Sequence, residues 1–295
     1  MNTKWIRSTS RAGALVAATV FSALLLGGCT TLEAVRAFAK TSADTAEYKK
    51  VADEFASGPT RLKQYAPANR HAGLDADAKA RVRLRERFDA AQAILVAYMN
   101  ALGDLAADEL PSLDKQVDGL GAALEKAKFV GTGDAAISKS TATAAASIAK
   151  VLGRVLLDHW RQARLAELIR ETDEHVQVVV SGLRAIVMRD FDLALRLEAV
   201  AVGKYFDEPI AAAEHRNPPD TDMIPPLARI LKADRLDVVT ARRAKLKAYA
   251  EVLGKIGTGH ADLLQHVGKL DDAALTARLK QYAKDLIALH KAIFN

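Results

Sequence analysis

Cysteine is all but missing from this chain of 295 residues: Cys29 is the only one. A disulfide within the monomer is therefore excluded. Aromatic residues make up only 5% of the sequence, whereas alanine is abundant. That profile suits helices packed closely through small side chains and argues against a β-sandwich. Seven histidines are present, but none stands in a His-Glu-x-x-His or Glu-x-x-His spacing, the arrangements that place two ligands on one helix face. No Gly-x-Ser-x-Gly elbow occurs, and no glycine-rich loop links a strand to a helix for phosphate binding. With no signature of catalysis, metal or cofactor, the expectation is a non-enzymatic protein that uses neither metal nor cofactor. Acidic residues are absent before Glu33. Long apolar runs are missing too: Ala14 to Leu26 falls short of the ~20 residues a spanning helix needs.

What the amino terminus does contain is ordered. Lys4, Arg7 and Arg11 form a basic head, Ala14 to Leu26 is almost wholly apolar or small, and Leu26-Gly27-Gly28-Cys29 closes the run. This is the grammar of a secretory signal peptide. The last four residues resemble the lipobox of bacterial lipoproteins. The resemblance implies cleavage between Gly28 and Cys29, diacylglycerol on the Cys29 sulfur and acylation of the new amino terminus. Two or three acyl chains, at about 0.8 kcal/mol per buried CH₂, hold a protein on a bilayer effectively permanently. In a Gram-negative envelope, Thr30 in place of Asp implies sorting to the outer membrane, with the protein facing the periplasm. The domain plan is then a cleaved signal at 1–28, a lipidated anchor at 29–31 and a helical domain at 32–295, with a subdivision near 216–226.

Residues 1–28 hold three of the 42 basic side chains and none of the 36 acidic ones, so the remainder carries a formal charge of only +3. Nucleic acid is accordingly not expected as a partner.

Helical spacing recurs along the mature chain. Leu84, Phe88, Ala91, Leu95, Tyr98, Leu102 and Leu105 alternate steps of four and three, as do Leu113 to Ala127 and Leu275 to Ile293. The stretch 176–202 is apolar on two sides, through Val180, Leu183 and Val187 and again through Val178, Ile186 and Leu193. It reads as a central helix covered on more than one side. Breaks are expected at Gly58-Pro59, Pro67 to Gly73, Pro111-Ser112, Gly131 to Gly133, Asn217 to Pro226 and Gly257-Thr258-Gly259. Asp207-Glu208-Pro209 reads as a restart or a kink. The predicted fold is an all-α, elongated, mostly antiparallel bundle of about six to seven helices, with a first helix over 32–56.

Few residues stand out as candidates for chemistry. Asp158-His159-Trp160-Arg161 contains the only tryptophan of the mature chain, and His159, Trp160 and Arg161 form the candidate binding group, more simply read as a packing residue among solvated charges. The histidines are expected to be solvated or paired locally. Ser138 to Leu157, rich in Ala, Ser and Thr, is a candidate for membrane insertion, although Lys139, Lys150 and Arg154 interrupt it. The alternating basic residues of Ala78 to Arg87 read as a solvated helix start. The leading expectation is an interaction or scaffold lipoprotein that binds the bilayer through Cys29 and another envelope protein through a helical face. Its alternatives are a membrane-acting helical protein, either pore-forming or lipid-remodelling, and a small-ligand or enzymatic site between helices.

Overall fold

The structure is a computed structural model that describes residues 32–107, 138–156, 161–216 and 224–294. Helix α1 (Glu33–Ala46) buries Ala34, Val35, Phe38, Ala39 and Ala43, a stripe recurring at three and four residues. The single helix expected over 32–56 is instead broken at Glu47–Lys49. Tyr48 turns inward there, where its ring meets Tyr249 and Phe294, and that burial interrupts the helix. The chain resumes as α2 (Lys50–Ala56) and α3 (Gly58–Leu62). A helix boundary does fall at Gly58-Pro59: α2 ends at Ala56 and Pro59 sits in the first turn of α3, where its missing N–H costs nothing. A second break falls at Ala66, held extended ahead of Pro67.

Helix α4 (His71–Leu105) buries Phe88, Ala91, Leu95, Tyr98 and Leu102, the predicted stripe. Helix α5 (Lys139–Leu156) covers the candidate insertion segment. Its small residues do what small residues do in soluble bundles: Thr141 lies so close to Gly182 that a Cβ at 182 would meet its hydroxyl at 2.2 Å. Among the described residues no helix is long and apolar enough to cross a membrane.

Helix α6 (Arg161–Ala185), a π-helical turn (Ile186–Phe191) and α7 (Asp192–Glu214) form one unbroken rod, about 80 Å long at 1.5 Å per residue. The rod passes through Pro209 without restarting. Helix α8 (Ile224–Gln265) is the second long element, and α9 (Ala273–Phe294) closes the chain. Gly257-Thr258-Gly259 does not end α8, contrary to expectation. The glycines serve packing instead: a Cβ at Gly259 would stand 2.3 Å from the Phe38 ring. The helix stops six residues after Gly259, at Gln265, and Asp272 caps α9 by accepting from the Ala274 and Leu275 amides at 3.0 Å each.

Among the described residues, counting the rod as one, six long helices pack around a single core cluster reaching from Ala34 to Ile293. Among the described residues there is no strand. Most neighbours run antiparallel, as Lys40–Asp104 across α1 and α4 and Lys255–Asp285 across α8 and α9 register, whereas α1 and α9 lie parallel, with Phe38 against Tyr282 and Tyr48 against Phe294. The bundle is elongated and has two unlike ends. Phe38 near the start of α1 packs against Gly259 and Tyr282, while Arg61 meets Glu198 and Tyr65 meets Tyr205 at the other end. Beyond Glu198 and Arg242 the antiparallel pair α7 and α8 extends as an arm, pinned by Lys232–Asp207 and by an Arg229–Glu214 ion pair.

The predicted helix at 113–127 and the breaks at 111–112 and 131–133 lie outside the described residues, as do residues 217–223. On the helix start at 78–87, Lys79 and Arg83 are exposed, as a solvated face requires. Arg81 and Arg85 are not: Arg85 reaches Asp53, and Arg81 lies 4.7 Å over the Phe55 ring.

Candidate functional site

Three places gather polar or exposed apolar side chains. The first is the root of the arm. Glu198 is buried, yet its two carboxylate oxygens accept from Arg61 Nε and Nη2 at 2.9 and 2.7 Å, and Arg242 Nη1 adds a third bond at 3.3 Å. Forked arginine pairing of this kind is among the stronger protein contacts. Six residues earlier, Asp192 accepts from Arg243 at 2.7 Å and meets Arg196 at 3.1 Å. The hydrogen bond from Arg243 holds the Asp192 carboxyl below its ordinary pKa. Between Phe55, Phe191 and Arg81 remains about 10 Å³ of free space, room for one water and no larger ligand. The root is a structural joint.

The second is a buried polar relay joining α4, α6 and α8. Tyr98 Oη lies 2.5 Å from His260 Nε2, and His260 Nδ1 lies 2.7 Å from Asp173 Oδ1. Thr172 Oγ1 stands 2.8 Å from the Tyr98 hydroxyl, and Gln177 donates to Asp173 at 3.2 Å. Tyr98 donates to His260 Nε2 and the Nδ1 proton of His260 goes to Asp173, while the single Thr172 proton is shared between the Tyr98 oxygen and the Leu168 carbonyl at 2.6 Å. Burial pushes the Tyr98 phenol up. The hydrogen bond from His260, followed by that from Gln177, lowers the Asp173 carboxyl. The order of groups resembles a catalytic relay, but Tyr98 and His260 are fully buried, so no substrate reaches the hydroxyl. Three helices are fixed in register by it.

The third is an open groove of about 720 Å³ between α6 and α8, lined by Gln177, Ser181, Arg184 and Met188 on one wall and by Gly254, Gly257, Thr258 and Ala261 on the other. Gly257 makes it shallow-walled: a Cβ there would meet Gln177 Oε1 at 3.0 Å. Towards the arm, the rod exposes Leu193, Leu197 and Val200 at 45, 54 and 56%. The expectation that 176–202 is covered on this second side fails at Leu193, while Ile186 of that side is buried and Val178 half-buried. No described helix lies over Leu193, Leu197 or Val200.

Of the residues singled out in the sequence, Gly28, Cys29, His159 and Trp160 lie outside the described residues. Arg161 is the first residue of α6. The expectation of solvated or locally paired histidines holds for His71, His215 and His266, each bonded to a carbonyl four or five residues away. It is wrong for His260, which is wholly buried and joins residues 87 and 162 positions distant. Nothing in its local spacing marked it beyond its place on the apolar side of α8. Among the described residues no group of three or more His, Cys, Asp or Glu could hold a metal ion. Comparison with protein-family models, curated proteins and solved structures finds no match.

Proposed function

We propose that the chain is a lipid-tethered, non-enzymatic interaction module of the cell envelope, anchored in the outer membrane through acylated Cys29 and holding another envelope protein on a helical face. The observation that carries this reading is the lengthwise polarity of the molecule. Cys29 precedes α1 by four residues, and α1 begins at the end of the bundle where Phe38 meets Gly259 and Tyr282. The arm projects from the opposite end. Along α8, Gly259 and Ile230 are separated by about 45 Å of helix. Ile230, at 66%, and Leu227, at 54%, are exposed on the arm. Apolar surface there stands well clear of the bilayer to which the tether belongs, and exposed apolar patches mark interaction sites.

Two measurements test the proposal. Metabolic labelling with a palmitate analogue should mark the wild-type chain and not Cys29→Ser. In-cell crosslinking followed by mass spectrometry should recover one abundant envelope protein from the wild type and lose it with Cys29→Ser. An unlabelled wild-type chain would remove the tether, and a labelled chain with no specific partner would remove the adaptor role.

A further inference from the structure

The groove and the exposed stripe of the rod form one surface. Gln177, Ser181, Arg184 and Met188 step by four, three and four. A π turn adds one residue to a helix, so the same side continues at Leu193, five residues after Met188, and then at Leu197 and Val200. Its length over residues 177–200 is about 35 Å. On α8 the facing wall runs from Ala261, Thr258 and Gly254 to the exposed Lys247 and Ala244. Small residues keep that wall low, so the surface is concave along one edge and apolar along the other.

Its charge is mostly of one sign. Arg184, Lys204 and Lys247 have no ion-pair partner among the described residues, and Arg196 shares Asp192 with Arg243. Exposed Glu251 is the acidic exception on the α8 wall, while Asp190 is already held by Arg189. A concave, apolar, basic-edged channel of this length has the shape of a helix-binding groove. We infer that this face docks an acidic amphipathic α-helix of a partner protein, its apolar residues on Met188, Leu193, Leu197 and Val200 and its carboxylates on Arg184, Lys204 and Lys247. A bilayer is a poorer fit, because a flat surface does not enter a groove walled by α8. A second copy offering the same face would set these cations against their own kind, which disfavours association. The inference rests on the adaptor reading above and names the chemistry of the partner.

The test places a photo-crosslinking amino acid at Leu197 in the full-length chain in its own cells, and separately at Leu227, exposed on the other helix of the arm. The expected result is capture at position 197 of a partner peptide with net negative charge and apolar residues at helical spacing. Capture should fall at least tenfold in Arg184→Glu/Lys204→Glu and persist in Arg184→Lys/Lys204→Arg, with thermal stability unchanged in both because these side chains are exposed. Capture at 197 of lipid, of a second copy or of a basic segment would overturn the inference. Capture at 227 alone would also overturn it while leaving the adaptor reading standing. No capture at either position, with no partner from general crosslinking, would remove both.

Discussion

Two glycines of α8 make opposite predictions from one structural fact, the space around a missing Cβ. At Gly259 that atom would stand 2.3 and 2.5 Å from two carbons of the Phe38 ring. Ordinary carbon contacts lie at about 3.5–4.0 Å, so the ring must retreat by more than an ångström. Phe38 has nowhere to go: it is fully buried and its ring also packs on Tyr282. Overpacking of this kind costs about 1–3 kcal/mol, against which alanine in a helix interior recovers about 1 kcal/mol. At Gly254 the nearest atom is Arg184 Cζ at 4.0 Å, so Gly254→Ala meets nothing and keeps the propensity gain. Gly259→Ala should therefore lower stability by up to about 2 kcal/mol and Gly254→Ala raise it by about 0.5–1 kcal/mol. In a chain of this size each kcal/mol moves Tm by about 2–4 °C. Urea and thermal unfolding of both variants decide the matter. If Gly259→Ala stabilises as much as Gly254→Ala, the contact between α1 and α8 is wrong. Phe38→Leu in the Gly259→Ala background should restore part of the loss, as a double-mutant cycle for touching residues requires.

Other substitutions follow from the same packing. Tyr249 Oη donates to the Ala46 carbonyl at 3.1 Å and accepts from Gln92 at 2.7 Å, all buried. Tyr249→Phe should cost about 1–3 kcal/mol by removing two buried hydrogen bonds, although the Ala46 carbonyl keeps the Tyr48 amide and Gln92 keeps the Tyr48 carbonyl. A chemical melt within a few tenths of wild type would refute it. Glu198→Gln keeps the shape of the arm root but removes the charge facing Arg61 and Arg242. Since those arginines are partly exposed, the expected loss is about 1–3 kcal/mol rather than the larger cost of a fully buried pair, read as Tm. Asp192 and Asp173 have folded pKa values below their unfolded ones. Their contribution is thus fully present above the unfolded value near ~3.9 and lost as pH falls through the lowered folded values. Stability measured from pH 7 to pH 2 should drop below about pH 4, with a shallower drop in Asp192→Asn. An unchanged acid limb in that variant would show that the Arg243 pair contributes nothing.

Much of the fold was legible because it depends on spacing. The α4 stripe from Phe88 to Leu102 and the α9 stripe from Leu275 to Ile293 are buried as their steps of four and three required. The breaks were less legible, because glycine has two uses. Gly257-Thr258-Gly259 looked like a helix end, since glycine is the commonest C-cap. It proved to be the place where α8 touches Gln177 on one side and Phe38 on the other. The reason lies in residues 80 and 221 positions away, which local sequence does not encode. The relay was hidden for the same cause: Tyr98, Asp173 and His260 belong to three helices and meet only after packing. The proposed tether rests on contiguous residues, a signal-like run and a motif that resembles a lipobox, and so needs no packing to be read.

The arm marks where periodicity stops being informative. In α8, Leu227, Val238, Tyr249, Ile256 and Leu263 follow one another by 11, 11, 7 and 7 residues, a single stripe along one side of a helix. Tyr249, Ile256 and Leu263 are fully buried, yet Leu227 and Val238 are exposed at 54 and 38%. The stripe does not change; its cover does. On the rod the buried side passes through the π turn from Val179 and Ile186 to Phe191, Leu195 and Val202, while Leu193 and Leu197 stand exposed beside it. Helical spacing states that a side is built to be covered, but it does not say by which chain. Where a chain's own helices run out before its apolar stripes do, the remaining length is where a partner's helix lies if the surface was built for one. A variant with Leu193, Leu197 and Val200 all changed to Ser should therefore fold with unchanged Tm, since those side chains already meet water. It should also lose the crosslinked partner. A large fall in Tm would instead mean that these residues support the chain's own fold.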